Sequence, residues 1–175
     1  MKNMNNQEKN TYVRQHILAA LLELMCTQDF ASISIQTLAD AAGVGRASFY
    51  RNYKSKEDVL QQESVRLTDA WKAEFEQEHP DGTPQQGNEW LISLLDFYKE
   101  HAEFYLALYH AGLSDIVLET ILGYFDRAPE TPNALAYLNA AIGYMIYGWI
   151  QEWMRRGMQE SGTELARMLT ESQKK

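Results

Sequence analysis

Cysteine and proline are scarce in this sequence, and both shortages restrict the fold. Cys26 is the only cysteine among the 175 residues, so no disulfide can form within the chain and no cysteine cluster can hold a metal ion. A lone thiol suits a reducing compartment such as the cytoplasm. Only four residues are proline, while hydrophobic residues make up 45% of the chain. This composition favours a compact, all-helical protein over a disordered one.

Segments for export or for spanning a membrane are also lacking. The first ten residues, MKNMNNQEKN, have no apolar core of the kind found in signal peptides, and we expect them to form a flexible arm. The most apolar run, residues 134–150, approaches spanning length, but Asn139 interrupts it. We therefore expect this run to be buried in protein, and we expect a cytoplasmic location without a membrane partner.

No arrangement of residues typical of a catalytic or metal site is present. The four histidines are not paired with acids in the order of a metalloprotease helix, and there is no Gly-rich phosphate loop. Glu76 and His79 match the Glu-x-x-His spacing of di-iron bundles, but that chemistry needs a second copy, which the sequence does not contain. We expect no catalytic residues, no metal and no cofactor.

Positive charge is in deficit overall but is unevenly distributed. The formal net charge is −8, which by itself argues against binding a polyanion. Residues 1–56 nevertheless hold seven Lys and Arg against four Asp and Glu, whereas the remainder holds nine against twenty. A mildly basic head on an acidic body suits a protein that contacts DNA at one end only.

The basic head contains a stretch that reads as two short helices meeting at a glycine. Leu38, Ala39 and Ala42 lie at helical spacing after Ser34, whose hydroxyl can cap the helix that it opens. Gly43 tolerates the positive φ that a helix C-terminus needs before a sharp turn. The pattern predicts a helix-turn-helix.

The second short helix, about residues 46–53, has a polar outer face. Phe49 and Tyr53 are predicted to point inward, and the segment contains no carboxylate to repel a phosphate backbone. Its remaining side chains offer donors for base edges and phosphate oxygens. These residues are Arg46, Ser48, Tyr50, Arg51 and Asn52.

The run TLADAAGVGRASFYRNYKSKED is similar to the helix-turn-helix motif of the TetR family of bacterial transcription regulators. Asn52 departs from the motif, since many relatives carry histidine there. The resemblance implies operator DNA as a partner, a small-molecule effector and a homodimer. We expect the five polar residues named above to contact bases or backbone, and Gln36, Thr37 and Lys56 to contact phosphates.

The body is predicted to be helical throughout, with a loop at residues 79–88. Helices are expected over residues 11–27, from Ser55 to about 76, over 89–109, from Ser114 to before Pro129, from Pro132 to about 157, and over 163–172. Thr131 is expected to cap the helix that begins at Pro132. That helix is apolar on both faces, and its partner is expected to be the same helix of a second subunit, together with the last helix.

The body is also rich in aromatic residues, which either fill a core or line a pocket. A pocket with apolar walls and a few hydroxyls suits a flat, sparingly polar molecule. Few Lys or Arg occur between Trp71 and Met154, which argues against a phosphate ligand. The residues expected to line the pocket are Trp71, Phe75, Tyr98, Tyr105 and Trp149.

Together these patterns predict an all-α protein. A three-helix helix-turn-helix DNA-binding domain, residues 1–56, is joined by a long helix to a helical ligand-binding and dimerisation domain, residues 57–175. The predicted function is that of a dimeric repressor released from a near-palindromic operator by a small, apolar or aromatic effector. The alternatives are a transcriptional activator of the same fold, a helical ligand-binding protein without DNA affinity, and an enzyme housed in the body.

Overall fold

The computed structural model of the chain describes residues 6–79 and 89–172, and its regular structure within these ranges is entirely helical, as predicted. None of the described helices is long and apolar enough to cross a bilayer. The helices are α1 Asn6–Thr27, α2 Ile35–Ala41, α3 Arg46–Asn52, α4 Lys56–Glu78, α5 Glu89–Glu100, α6 Ala102–His110, α7 Asp115–Gly123, α8 Asn133–Arg155 and α9 Gly162–Ser172, with a short 3-10 turn at Phe30–Ser32.

The chain forms two compact units, Met1–Glu63 and Ser64–Lys175, and the division falls within α4. In the first unit α1 packs against both α2 and α3. The centre of its core consists of side chains with no exposed surface: Ile17, Leu21, Leu38, Phe49 and Leu60. Burial of such large apolar side chains is the main source of stability for a unit of this size.

The turn between α2 and α3 has the geometry that the sequence predicts. The backbone N–H of Thr37 donates a 3.0 Å hydrogen bond to the Ser34 hydroxyl, which caps α2. Gly43 has φ of +65°, and the N–H of Val44 donates to the Ala39 carbonyl at 2.9 Å. The sharp turn therefore depends on a backbone conformation that favours glycine.

Two helix boundaries differ from the prediction. Helix α1 begins at Asn6, not Thr11, so Asn6–Asn10 are helical and are not part of a flexible arm, while residues 1–5 lie outside the described residues. The helix expected over residues 89–109 is divided into α5 and α6 at His101, whose φ of −103° and ψ of 25° leave the helical region. Neither glycine nor proline marks this break, so the sequence pattern did not reveal it.

The start of α8 is also shifted by one residue. Pro132 has ψ of 133°, which is extended, and it therefore precedes the helix instead of opening it. The Thr131 hydroxyl does not cap α8 but donates a 2.6 Å hydrogen bond to the Asp126 carboxylate.

In the second unit α5 packs against α9, and both α6 and α7 pack against α8. Contact between α5 and α9 is close: a Cβ added at Gly162 would lie 2.7 Å from the backbone nitrogen of Asp96. The largest side chains of this core with almost no exposed surface are Leu95, Tyr98, Tyr105, Leu108, Ile150, Trp153 and Met154.

The two faces of α8 differ in how they are covered. The side of α8 that contains Gly143 lies against the end of α7 and the segment after it in the same chain, since a Cβ at Gly143 would meet Leu122 at 2.6 Å and Phe125 at 3.4 Å. Trp153, near the C-terminal end of α8, is also buried. The large apolar side chains of α8 that the chain itself leaves exposed are Leu135, Tyr137, Leu138, Tyr144 and Met145.

Candidate DNA-binding surface and ligand cavity

Helix α3 exposes cations and an aromatic ring and carries no carboxylate. Phe49 anchors the helix in the core with no exposed surface, while 53% of Tyr50 is exposed. Arg46 and Arg51 are exposed as well, and the Arg46 guanidinium lies 5.9 Å from the centroid of the Tyr50 ring. The outward face of α3 therefore presents positive charge and hydrogen-bond donors on a fixed helix.

Hydrogen bonds along α3 orient the other polar side chains predicted to contact DNA. Nη2 of Arg51 donates to the Ser48 hydroxyl at 2.8 Å, and Nε donates to the Ala47 carbonyl at 3.2 Å. Nδ2 of Asn52 donates to the Ser48 carbonyl at 2.8 Å. Because a guanidinium has five N–H donors, Arg51 keeps donors for a phosphate or a base after forming these bonds.

Gln36 and Thr37 are exposed in the first turn of α2. Nε2 of Gln36 donates to the Asp40 carboxylate at 2.8 Å, and the hydroxyls of Thr37 and Ser34 are hydrogen-bonded at 2.9 Å. Both side chains are thus held at the start of the helix, where free backbone N–H groups favour anions.

Lys56 has intramolecular partners that the sequence analysis did not anticipate. Its ammonium donates to the carbonyl of Ile33 at 2.9 Å, to that of Ala31 at 3.3 Å and to that of Phe30. The ammonium also lies 4.3 Å from the centroid of the Phe30 ring. This cation therefore ties the start of α4 to the connection between α1 and α2, whereas its contact with a phosphate stays a prediction.

A contact between α1, the residue after α3 and α4 is not predicted by any local sequence pattern. The Arg14 guanidinium lies 5.3 Å from the centroid of the Tyr53 ring and donates to Oε1 of Gln62 at 2.9 Å. Burial raises the pKa of Tyr53, and the charge of Arg14 partly offsets this shift. The contact fixes the end of α3 against its neighbours, and no spacing rule could have identified it because the three residues are far apart in the chain.

A cavity of about 450 Å³ lies between α4 and α5 within the second unit. Trp71 and Phe75, two of the five residues predicted to line a pocket, form part of its wall. The described lining residues are Leu67, Ala70, Trp71, Glu74, Phe75, Glu78, His79, Glu89, Ile92, Ser93, Asp96, Phe97, Glu100 and His101.

The other three predicted pocket residues do not line this cavity. Tyr98 and Tyr105 are buried in the core, where their ring centroids lie 4.5 Å apart. Trp149 lies on α8 and is partly exposed. Helical periodicity placed Tyr98 and Tyr105 on an inner face but could not distinguish a core from a cavity wall.

The cavity has an aromatic wall. Trp71 stacks on Phe97 with ring centroids 5.8 Å apart and lies 6.0 Å from Phe75, which in turn stacks on His79 at 4.2 Å. The indole N–H of Trp71 donates to the Ser93 hydroxyl at 2.9 Å, which fixes the ring orientation. Four rings therefore form a continuous surface along one side of the cavity.

The polar lining of the cavity is acidic, a feature that was not predicted from the sequence. Five lining residues carry carboxylates, and no Lys or Arg occurs among the described lining residues. Glu89, Asp96 and Glu100 follow one another at seven and four residues on α5, so their helical spacing could have revealed a shared face. Within the described ranges, no three His, Cys, Asp or Glu side chains are grouped to hold a metal ion.

Two family models match this chain. The model described as bacterial regulatory proteins of the tetR family matches residues 17–62, which include α2 and α3. The model described as a transcriptional regulator C-terminal region matches residues 85–175, slightly more than half of the chain.

A curated relative shares part of the sequence. The HTH-type transcriptional regulator AlkX of Mycobacterium tuberculosis is 32% identical over 57 residues, which cover 33% of this chain and 27% of AlkX. The match thus spans about a quarter of the length of that relative.

Solved structures share the fold at low sequence identity. Lin0861 from Listeria innocua superimposes with a TM-score of 0.77 at 16% identity, over 99% of this chain and 95% of that one. The fatty acid degradation regulator FadR from Bacillus halodurans gives a TM-score of 0.50 at 17% identity, over 95% and 93% of the two chains. The chain belongs to the TetR family of bacterial transcriptional regulators, as the resemblance of its helix-turn-helix predicted.

Proposed function

We propose that this regulator is a homodimeric repressor that binds a near-palindromic operator and is released from it by a small organic molecule. The main support for the proposal is the exposed face of α3, where two arginines and a tyrosine project from a helix without carboxylates. A regulator of this kind acts on DNA in the cytoplasm and has no need of catalysis.

In this proposal α3 enters the major groove. The predicted base and backbone contacts are those of the polar residues on α3, and Gln36 and Thr37 fix the register on phosphates. In a dimer, the two α3 helices would be separated by about 34 to 36 Å, one turn of the duplex. A near-palindromic operator follows from the two-fold symmetry of such a dimer.

The proposed dimer forms through the exposed apolar face of α8 and through α9. On α8, Leu138 and Tyr144 expose 55% and 54% of their surface, and on α9 Met168 exposes 46%. These side chains are large and apolar, and exposed apolar side chains of this size that group together are typical of a protein interface. A second copy of the same two helices would cover it with like residues about a two-fold axis.

The proposed release mechanism depends on α4. This helix supplies Val59 and Leu60 to the core of the first unit, and it supplies Trp71 and Phe75 to the cavity of the second unit. An effector that fits only one position of α4 would favour that position and change the separation of the α3 helices in the dimer. A coupling of about 1 to 3 kcal/mol corresponds to a roughly 5- to 150-fold change in operator affinity.

The test starts with operator selection from random double-stranded DNA, followed by binding measurements with the selected sequence. The double substitution Tyr50→Ala and Arg51→Ala should lower operator affinity by about 100-fold or more, because two groove contacts are lost. Arg127→Ala, which removes an exposed arginine of the second unit between α7 and α8, is the matched control and should leave affinity unchanged.

Two results would contradict the proposal. Unchanged operator affinity in the α3 double variant would reject α3 as the reading helix. Absence of steeply salt-dependent DNA binding at low ionic strength would favour the alternative, a ligand-binding helical protein without DNA affinity, for which the cavity is the supporting observation.

A further inference from the structure

We infer that the cavity between α4 and α5 binds an organic cation, with its charged group among the carboxylates and its aromatic or alkyl body against the Trp71, Phe75 and Phe97 rings. This inference rests on the proposed function in one respect, since it names the chemical class of the effector. The binding itself needs neither an operator nor a second subunit, because every lining residue that the structure describes belongs to one unit.

The charges of the cavity determine which ligands it favours. Carboxylates enter it from both helices, with Glu74 and Glu78 on α4 and Glu89 and Asp96 on α5. No lining residue that the structure describes brings a lysine or an arginine to balance them. An anionic ligand such as a phosphate ester or a carboxylate would be repelled, whereas a cation would reduce the repulsion between neighbouring carboxylates.

Glu89 lies at one end of the cavity, beside an imidazole ring. Its Oε2 atom is shielded from solvent and lies 3.5 Å from Nε2 of His79, while 35% of the Glu89 side chain is exposed. The carboxylate therefore lines the cavity at a position that a ligand can reach. A ligand cation at this end would give the carboxylate a charged partner in addition to the His79 ring.

The aromatic wall suits the rest of such a ligand. The faces of Trp71 and Phe97 stack at 5.8 Å, and the Trp71 indole is held by its bond to Ser93, so the wall is formed before a ligand enters. Aromatic faces attract cations and stack on flat rings, and tryptophan is the strongest of them. The cavity volume of about 450 Å³ matches a molecule of two to four fused or linked rings.

The test uses a matched pair of probes in the absence of DNA. The cation 10-methylacridinium carries a permanent charge, whereas acridine has nearly the same shape and is uncharged at pH 8. Isothermal titration calorimetry on the full chain should show the cation binding at least about tenfold more tightly than acridine, a difference of about 1.4 kcal/mol. Equal affinities for the two probes would overturn the inference.

Substitutions then locate the binding. Glu89→Gln should weaken binding of 10-methylacridinium about tenfold and leave acridine binding unchanged. Glu76→Gln is the matched control, because Glu76 lies on α4, is 65% exposed, pairs with Lys72 and does not line the cavity. Equal losses in the two variants would show that the cation binds the acidic surface in general, which would also overturn the inference.

Calorimetry with the probes tests the ligand class of the cavity, and operator binding tests the proposed function, so the two proposals can fail separately. The calorimetric experiment contains no DNA, so its outcome does not depend on operator recognition. Conversely, Glu89→Gln should bind the selected operator as tightly as the unmodified protein when no probe is present. If Glu89→Gln lowers the thermal unfolding midpoint, Glu78→Gln takes its place in the binding measurements. Glu78→Gln also removes a lining carboxylate, but at an exposed position of α4.

Discussion

The ammonium of Lys56 donates a 2.9 Å hydrogen bond to the carbonyl oxygen of Ile33, which joins the first residue of α4 to the segment before α2. A cation at a helix N-terminus is opposed by the helix dipole, so its position there needs another explanation. The carbonyls of Phe30 and Ala31, which the same ammonium also contacts, provide it. Lys56 therefore connects two parts of the first unit.

Lys56→Met should lower the free energy of unfolding by about 1.5 to 3 kcal/mol, because hydrogen bonds to a charged group are lost while the carbonyls remain. Urea denaturation followed by circular dichroism measures the change. Lys54→Met is the control, since Lys54 is exposed and should change stability by less than about 0.5 kcal/mol. If Lys56 served only as a phosphate contact, operator affinity would fall and stability would stay the same.

The close contact of α5 with α9 predicts that Gly162→Ala destabilises the second unit. The added Cβ would lie 2.7 Å from the backbone nitrogen of Asp96 and closer still to its carboxylate, so the backbone of one helix must move. Overpacking of this kind costs about 1 to 3 kcal/mol, which thermal unfolding can measure. Gly123→Ala is the matched control, because a Cβ there has no neighbour within 4 Å, and an equal loss in both variants would reject the explanation.

The exposed face of α8 predicts the behaviour of a charged variant. Introducing Leu138→Glu together with Tyr144→Glu should convert the proposed dimer to a monomer, because four carboxylates would then face one another across the two-fold axis. Analytical ultracentrifugation measures the change in mass. Val65→Glu places one carboxylate per subunit at an exposed apolar position of α4 and should leave the dimer intact. A double variant that remained dimeric would show that the subunits associate through another surface.

The structural features that were predicted correctly from the sequence are those that depend on interactions between residues close together in the chain. Ser34 caps α2 and Gly43 adopts a positive φ because each role depends on the residue itself and its immediate neighbours. The acceptors of Lys56 lie 23 to 26 residues earlier in the chain, so no local pattern could identify them.

The candidate cavity was only partly predictable for the same reason. Tyr98 is followed by Tyr105 seven residues later on the next helix, and both have the helical spacing of a pocket wall, yet they pack against each other in the core. Whether an inward-facing ring meets another ring or an open volume depends on helix packing, which periodicity does not report. Conversely, Glu89 was predicted only as the first residue of a helix, and its position beside His79 at the end of the cavity became evident only from the structure.

At the end of α8, Glu152 should titrate well below the usual range of a glutamate. Hydrogen bonds from Arg155 and then Arg156, at 2.7 and 2.6 Å, lower the pKa of its carboxyl to about 2. Because the folded-state pKa is depressed, any contribution to stability is present above the unfolded pKa and is lost as the pH falls toward 2. Carbon-detected NMR titration of the side-chain carboxyl measures the midpoint. Replacing both arginines by glutamine should return it to the ordinary range, and 1 M salt should move it part of the way, since both partners are exposed. A midpoint near 4.3 in the unmodified protein would show that these ion pairs do not persist in solution.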